Sequence, residues 1–116
     1  MDLIEIERIA RALERPRFRE RVYTEAERAY CDGKANPAQS YAARFAGKEA
    51  VGKALGIGVA RAFAWTDVEI AGRPKPTVAL SGRMHAWAER VGAGSIDLSM
   101  SHSRGLAVAV CAVADA

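Results

Sequence analysis

The sequence predicts an α+β domain in which helices pack on a small antiparallel sheet. In the first half of the 116-residue chain, apolar residues recur with the period of a helix, and in the second half they alternate as in strands. A parallel sheet would need strands and helices in alternation, whereas here the helices come first and the strands follow. Because this length supports one modest core, residues 1–116 are expected to form a single domain.

Three helices are predicted in the first half of the chain. Apolar residues spaced i, i+3, i+4 and i+7 mark the first helix, and Pro16 ends it. Thr24 and Glu27 match a capping box, which begins the second helix. An asparagine followed by Pro37 begins the third helix, and a Gly-Ile-Gly run at 56–58 stops it. The three helices are expected over about 6–14, 24–34 and 37–55.

Four strands and one short helix are predicted after residue 66. Residues 77–80 alternate with period two, and a turn rich in Gly and Pro at 72–76 joins them to the strand before. A Ser-Gly pair opens the short helix, and a polar stretch at 101–105 separates the last two strands. The expected elements are strands at 67–70 and 77–80, a helix at 81–91, and strands at 95–100 and 106–113.

The composition is that of an ordinary globular protein with a modest basic excess. Half of the residues are apolar, 27% are charged and the net charge is +3. No apolar run approaches the ~18 residues of a membrane span, and the acidic start differs from a signal peptide. Cys31 and Cys111 are far apart, so we expect a reduced, cytoplasmic protein without a membrane partner. The basic excess indicates either an anionic partner or a merely solvated surface.

The segment from Arg44 to Gly56 holds the densest candidate chemistry. On a helix, Glu49 and Lys53 lie one turn apart on one face, and Arg44 and Lys48 form a second such pair on a neighbouring face. A carboxylate beside several cations could hold a magnesium ion together with the phosphates that it neutralises. The alternative is that both are exposed ion pairs of a solvated helix, which stabilise it only slightly.

Histidine and arginine residues outside this segment are further candidates. His102, in a Ser-His-Ser run, could donate to a phosphate or belong to an ordinary hydrogen-bonded turn; a Ser–His catalytic pair is disfavoured, because adjacent strand residues point to opposite faces. Arg8, Arg11 and Arg15 share one side of the first helix, where they could bind an acidic protein or only face solvent. His85 has no evident partner and is interpreted as a surface residue. A Walker loop, zinc-ligand spacing and G-x-G-x-x-G are all absent from the sequence.

A family resemblance extends over nearly the whole chain. Residues 44–56 read R-F-A-G-K-E-A-V-G-K-A-L-G, which closely resembles the signature R-F-A-x-K-E-A-x-x-K-A-x-G of bacterial holo-[acyl-carrier-protein] synthases. The opening D-L-I-E-I-E-R-I at 2–9 resembles their D-I-x-E-I-x-R-I, and L-S-M-S-H-S at 98–103 is similar to their V-S-L-S-H-S strand. Arg17-Phe18 and the run T-x-x-E at 24–27 fit the segment of the family that follows this opening. The resemblance implies the 4'-phosphopantetheinyl transferase-like fold.

The resemblance also implies a reaction and the residues that perform it. Enzymes of this family transfer the 4'-phosphopantetheine group from coenzyme A to a serine of apo-acyl carrier protein, and they support fatty acid biosynthesis. By this resemblance, Asp2 and Glu49 would bind Mg²⁺, and Lys53 would neutralise the coenzyme A phosphates. Glu49, acting directly or through a metal-bound water, is also the candidate base for the serine proton, so Glu49 and Lys53 are the expected catalytic residues.

Binding residues follow from the same resemblance. Arg8 and Arg15 would contact the acidic helix of the carrier protein. A homotrimer is implied, with each coenzyme A site at a subunit interface, which suits a chain too small to enclose coenzyme A alone. The residues expected to contact the nucleotide and its phosphates are Arg44, Lys48, Lys53, Pro76 and His102.

The chain departs from the family pattern at two places, before Asp2 and at Pro74, and two other functions are considered beside the one that the resemblance implies. The family carries a Gly-rich strand before its aspartate, whereas Asp2 follows only Met1, so we expect either weak binding of Mg²⁺ or a mobile Asp2. Pro74 replaces a glycine of the family's G-K-P turn, so a different loop shape is expected there. One rival is a small basic nucleic-acid-binding module, although aromatic residues make up only 7% of the chain. The other rival is a family member that only binds coenzyme A.

Overall fold

The computed structural model describes residues 1–57, 63–72 and 75–116, and its architecture confirms the α+β class. Helices dominate the first half of the chain and strands the second. The elements are β1 (Asp2–Glu5), α1 (Ile6–Ala12), α2 (Pro16–Val22), α3 (Glu25–Asp32), α4 (Pro37–Ala54), a 3-10 turn (Trp65–Asp67), β2 (Val68–Ala71), β3 (Thr77–Leu80), α5 (Gly82–Arg90), β4 (Ala93–Ser103) and β5 (Leu106–Asp115).

The described strands form two antiparallel sheets, where the sequence predicts one. The larger sheet has the order β1-β5-β4, and the smaller is the hairpin of β2 and β3. β4 and β5 pair from Ser103 opposite Leu106 to Ala93 opposite Asp115, with one irregularity between Ala93 and Ile96. Both strands are therefore longer than predicted. Among the described strands, β1 pairs only with β5, and it forms an edge of the larger sheet.

Helix α4 lies at the centre of the molecule, because it packs on both sheets. Small residues on the helix allow this close packing. A Cβ atom added at Gly47 would lie 2.8 Å from Cδ1 of Ile70, and one added at Gly52 would lie 2.8 Å from Cε1 of Phe63. Since much of α4 is buried, its polar side chains must find partners inside the protein or bind a ligand.

The start of the chain differs from the prediction in two elements. The sequence predicts that Pro16 ends the first helix, but Pro16 is the first residue of α2, where its missing N–H costs no hydrogen bond. Strand β1 is not predicted at all, because its partner lies at the other end of the chain. The capping box of α3 is confirmed: the N–H of Glu27 donates to Oγ1 of Thr24 at 3.2 Å, and the N–H of Thr24 donates to Oε1 of Glu27 at 2.9 Å.

Several smaller features complete the comparison with the prediction. Helix α4 ends at Ala54, close to the predicted end. Gly58 of the predicted helix stop, and residues 73–74 of the predicted turn, lie outside the described residues. His85 is exposed as predicted, but its Nε2 lies 3.4 Å from Oε1 of Glu89 and so has a partner. Within the described ranges, we find no helix with the length and apolar character that a membrane crossing requires.

Candidate active site

Strand β1 places Asp2 beside helix α4. The backbone of Asp2 pairs opposite Ala109 of β5, and the residue is only 6% exposed. Ile4 is buried on the same face of the strand, as the period-two alternation of a strand requires. The expectation of a mobile Asp2 is therefore wrong, because backbone pairing with β5 and the burial of Ile4 hold this aspartate in place.

Asp2, Glu49 and Lys53 form one polar cluster where β1 meets α4. Nζ of Lys53 lies 2.7 Å from Oδ1 of Asp2. Burial, and then the nearby Asp2 carboxylate, raise the pKa of Glu49, while the charges of Lys53 and Arg8 act in the opposite direction. The hydrogen bond to Asp2 and the charge of that carboxylate raise the pKa of Lys53. Glu49 and Lys53 do interact, but the direct ion pair of Lys53 is with Asp2 rather than with Glu49.

The two carboxylates fit a hard divalent cation. Oδ2 of Asp2 is buried and has no hydrogen-bond partner among the described residues, which is a costly state for a carboxylate oxygen. Glu49 supplies a second carboxylate close by. The described ranges contain no group of three or more His, Cys, Asp or Glu residues that could hold a metal ion. Mg²⁺ needs only one or two carboxylates, since water and substrate phosphates complete its shell, so the cluster fits Mg²⁺.

A cleft of about 250 Å³ lies nearer the start of α4 than the carboxylate cluster does. It is lined by residues of α3, α4, β4 and the segment between β2 and β3. Arg44, Pro76 and His102, three of the residues expected to contact a nucleotide, all line it. Arg44 is 4% exposed, and its Nε and Nη2 have no hydrogen-bond partner in the described part of the chain. Its guanidinium lies 4.2 Å from the ring centroid of Tyr30. Buried guanidinium N–H groups without acceptors suit an anion such as a phosphate.

The structure contradicts the predicted phosphate contact of Lys48. Its side chain is fully buried, and Nζ lies 2.8 Å from Oε1 of Glu27. The same ammonium donates to the backbone carbonyls of Trp65 and Val68. An ammonium has three N–H donors, so these contacts leave none for a ligand. Burial lowers the pKa of Lys48, and the charge of Glu27 opposes that shift. Lys48 is therefore a structural residue of the interior.

Arg8 lies on α1 and Arg15 lies between α1 and α2, whereas the sequence predicts that one helix carries both. Helix α1 ends at Ala12, and Arg15 is the residue that precedes α2. Arg8 is exposed and close enough to Glu49 to lower its pKa. Arg15 is also exposed and lines a second cleft, of about 510 Å³. The two arginines therefore flank the carboxylate cluster and the second cleft respectively.

The second cleft combines arginine side chains with aromatic rings. The ring of Phe45 is stacked with both of its neighbours, with centroids 4.8 Å from Trp65 and 6.0 Å from Phe18. Arg17 and Arg21 are not among the residues predicted to bind the carrier, because α2 is not predicted from the sequence. Their i, i+4 spacing, which places both on one helix face, is the signal that could have identified them. The lining residues are Arg15, Arg17, Phe18, Arg21, Val22, Phe45 and Trp65.

Known proteins match the chain over nearly its whole length. The family model of the 4'-phosphopantetheinyl transferase superfamily matches residues 1–111. The holo-[acyl-carrier-protein] synthase of Moorella thermoacetica is 48% identical over 97% of this chain and 90% of the relative. The corresponding protein of Chlamydia felis is 45% identical over 94% of this chain and 89% of the relative.

Solved structures of such synthases share the fold. The Helicobacter pylori synthase in complex with coenzyme A has a TM-score of 0.84 at 32% identity, and the match covers 97% of this chain and 96% of that one. The Bacillus anthracis synthase in complex with coenzyme A (3',5'-ADP) has a TM-score of 0.80 at 32% identity, with 99% and 93% covered. The chain belongs to the 4'-phosphopantetheinyl transferase superfamily and, within it, to the family of the holo-[acyl-carrier-protein] synthases.

Proposed function

We propose that this protein transfers the 4'-phosphopantetheine group of coenzyme A to a serine of an apo-acyl carrier protein. The products are the holo-carrier and adenosine 3',5'-bisphosphate, and the reaction serves fatty acid biosynthesis in the cytoplasm. The observation that carries this proposal is the arrangement along α4, which presents the buried Arg44 to one cleft and Glu49 and Lys53 to the carboxylate cluster. One helix thus carries both groups for an anion and groups for a cation. The names of the relatives support the same reaction.

Arg44, His102 and Pro76 bind the nucleotide half of coenzyme A in this proposal. Support comes from the cleft that all three line and from the unpaired N–H groups of Arg44. A buried guanidinium held against the ring of Tyr30 offers its donors to a phosphate in a fixed orientation. Lys53 lies farther along the same helix, where its ammonium neutralises the diphosphate of coenzyme A.

The chemistry is a phosphoryl-type transfer in which the carrier supplies the nucleophile. The serine oxygen forms a bond to the phosphorus that bears the pantetheine arm, and the bond to the departing 3',5'-ADP oxygen breaks. Glu49 accepts the serine proton. Lys53 offsets the charge that grows on the departing phosphate. Mg²⁺, when held by Asp2 and Glu49, supplies Lewis-acid polarisation of the diphosphate.

The acidic helix of the carrier is proposed to bind Arg8 and Arg15. Arg8 is exposed beside Glu49, so a carrier bound there brings its serine close to the carboxylate cluster. Arg15 lines the second cleft together with Arg17 and Arg21, which gives one surface three cations and a group of aromatic rings. Such a surface offers charge complementarity to carboxylates and a cleft for an apolar side chain.

A homotrimer with coenzyme A sites between subunits is part of the proposal, each subunit being one domain of residues 1–116. Support comes from the outer face of the larger sheet, where Leu3, Leu106 and Val110 are 61%, 40% and 49% exposed. Leu3 pairs opposite Val108, so β1 and β5 present apolar side chains on a common face. Exposed apolar patches of this kind are typical of protein interfaces. The cleft at Arg44, at about 250 Å³, is too small to enclose coenzyme A, so a neighbouring subunit would complete it.

Mass spectrometry of the carrier tests the proposed reaction. The protein is incubated with coenzyme A, Mg²⁺ and a purified apo-acyl carrier protein, and the carrier should gain the mass of one phosphopantetheine group. A carrier whose acceptor serine is replaced by alanine is the control. An unmodified carrier would contradict the proposal; retained coenzyme A binding would then favour a coenzyme A-binding protein, and salt-sensitive binding to DNA would favour a nucleic-acid-binding module.

A further inference from the structure

Lys53 contacts one oxygen of Asp2 and leaves the other without a partner. Nζ of Lys53 lies 2.7 Å from Oδ1, whereas Oδ2 of the same carboxylate is buried and unpaired among the described residues. The two side chains differ in their surroundings, because the side chain of Asp2 is 6% exposed and that of Lys53 is 62% exposed. The fold therefore fixes the carboxylate, while the lysine reaches it from the solvent side and is free to leave.

The charges of the cluster balance only while Lys53 stays at Asp2. Asp2 and Glu49 are the acidic groups that interact there, and Arg8 and Lys53 are the basic ones. The carboxylates repel each other, and Lys53 offsets that repulsion at Asp2. If Lys53 left with no replacement, the buried Asp2 carboxylate would lose its ion pair and two carboxylates would share the single charge of Arg8, which is a costly arrangement. A cation that displaces Lys53 must therefore take over its charge.

We propose that Lys53 holds the place of the metal ion. While no Mg²⁺ is bound, Lys53 neutralises Asp2; it competes with Mg²⁺ for that carboxylate and turns to the coenzyme A phosphates once the cation has bound. Lysine suits this exchange, because its ammonium is a compact charge on a flexible stem and can move between two groups of oxygens without any change in the backbone. An ammonium and a divalent cation at one carboxylate repel each other, so the arrival of the cation favours the release of Lys53.

Lys53 should therefore weaken Mg²⁺ binding before coenzyme A is present and not afterwards. In the absence of coenzyme A, Mg²⁺ must displace Lys53 from Asp2. In its presence, the diphosphate offers Lys53 a second partner, and the competition ends. Lys53 thus adds to the cooperativity between Mg²⁺ and coenzyme A, since each ligand favours the position of the lysine that the other needs. This inference rests on the proposed function, in which a diphosphate is that second partner.

Isothermal titration of Mg²⁺ into the full chain without coenzyme A, at low ionic strength, tests the inference. The variant Lys53→Met should bind Mg²⁺ on the order of tenfold more tightly than the wild type, because it lacks both the competitor and a repelling charge. Lys53→Arg keeps the charge and should stay close to the wild type. Lys75→Met is the matched control, since Lys75 has an exposed ion pair with Asp97 at 3.5 Å, and it should leave the affinity unchanged.

A second titration, with saturating coenzyme A, should show that the advantage of Lys53→Met is lost. Equal or weaker Mg²⁺ binding by Lys53→Met without coenzyme A would overturn the inference, as would an equal gain in Lys75→Met. Circular dichroism checks that each variant is folded, and Lys53→Gln replaces Lys53→Met if the latter is not. The mass gain of the carrier with wild-type protein is measured separately, so a failed transfer refutes the proposed function and an unchanged Mg²⁺ affinity refutes the role of Lys53.

Discussion

The surroundings of Glu49 disfavour its negative charge, in spite of the two basic side chains nearby. Burial and the neighbouring Asp2 raise its pKa, and only Lys53 and Arg8 oppose them. A carboxylate in this state gains more from a bound cation than a solvated one does, because the cation removes a repulsion as well as adding an attraction.

Replacement of Glu49 by glutamine should abolish transfer and leave the fold intact. Glutamine has nearly the same volume but carries no charge for the cation and is a poor base, so kcat should fall by roughly 10²-fold or more. The measurements are kcat over a series of Mg²⁺ concentrations and the thermal melting curve. Glu89→Gln removes an exposed carboxylate of α5 and should change neither quantity. Near-normal turnover of Glu49→Gln at low Mg²⁺ would show that Glu49 is not a metal ligand.

For single residues, a local sequence signature indicates which side chains line a cleft, but it does not indicate which side chains are paired in the interior. Arg44, His102 and Pro76 line one cleft, which the resemblance leads one to expect. Lys48 belongs to the same signature and is nevertheless an interior residue. Its counter-charge, Glu27, comes from α3, far away in the sequence, so helical spacing alone cannot distinguish a buried lysine from one that reaches a ligand.

Among the elements, α3, α4 and β2 are joined by the buried Glu27–Lys48 pair. Glu27 caps the start of α3, contacts Lys48 of α4 and accepts the backbone N–H of Ile70 in β2 at 2.8 Å. Lys48 in turn donates to the carbonyls of Trp65 and Val68, which fixes the 3-10 turn. One pair of side chains thus sets the relative position of a helix that carries site residues and a turn that lines the second cleft.

Lys48→Met should destabilise the protein by roughly 3–5 kcal/mol, because the charge of Glu27 would remain buried without its partner. The double variant Glu27→Gln/Lys48→Met removes both charges and should recover part of the loss. Urea denaturation of the wild type, both single variants and the double variant at one protein concentration gives the coupling energy. Strictly additive losses would mean that the two side chains do not stabilise each other.

At the scale of elements, predictability depends on how far away in the sequence the determining partner lies. The capping box at Thr24 is complete within four residues, and the structure confirms it. Pro16 is ambiguous in the sequence, because proline both ends a helix and occupies the first turn of the next one. Strand β1 could not be predicted from its own four residues, since pairing with β5 is what makes them a strand.

For the whole molecule, we expect the outer face of the larger sheet to determine the state of association. Val110→Lys places a charge in the middle of this apolar face and should convert a trimer into monomers, with loss of coenzyme A binding at the proposed subunit interface. Multi-angle light scattering measures the association state. Val91→Lys is the matched control, because Val91 is 46% exposed but follows α5, outside the sheet, and it should leave the trimer unchanged. A wild-type monomer with full activity would contradict the trimer.

Recognition of the carrier should depend on Arg8 far more than coenzyme A binding does. Arg8→Glu reverses an exposed charge that is proposed to contact the acidic helix of the carrier, so KM for the carrier should rise on the order of tenfold and become less sensitive to salt. The affinity for coenzyme A, measured separately by titration, should not change. Arg90→Glu makes the same charge reversal at the end of α5 and serves as the control for general electrostatic effects. Equal changes for both substrates would place Arg8 near the nucleotide instead.

The pairing of β1 with β5 has a consequence for biosynthesis. Asp2 leaves the ribosome long before its backbone partner, Ala109, which lies in β5. Helices α1 to α4 can make their mutual contacts while translation continues, because their partners are near in the sequence. The carboxylate of Asp2 cannot reach its place beside Glu49 until Leu106–Asp115 has been released and has paired with β1. The carboxylate cluster therefore cannot assemble on a nascent chain before β5 has been synthesised and has paired with β1.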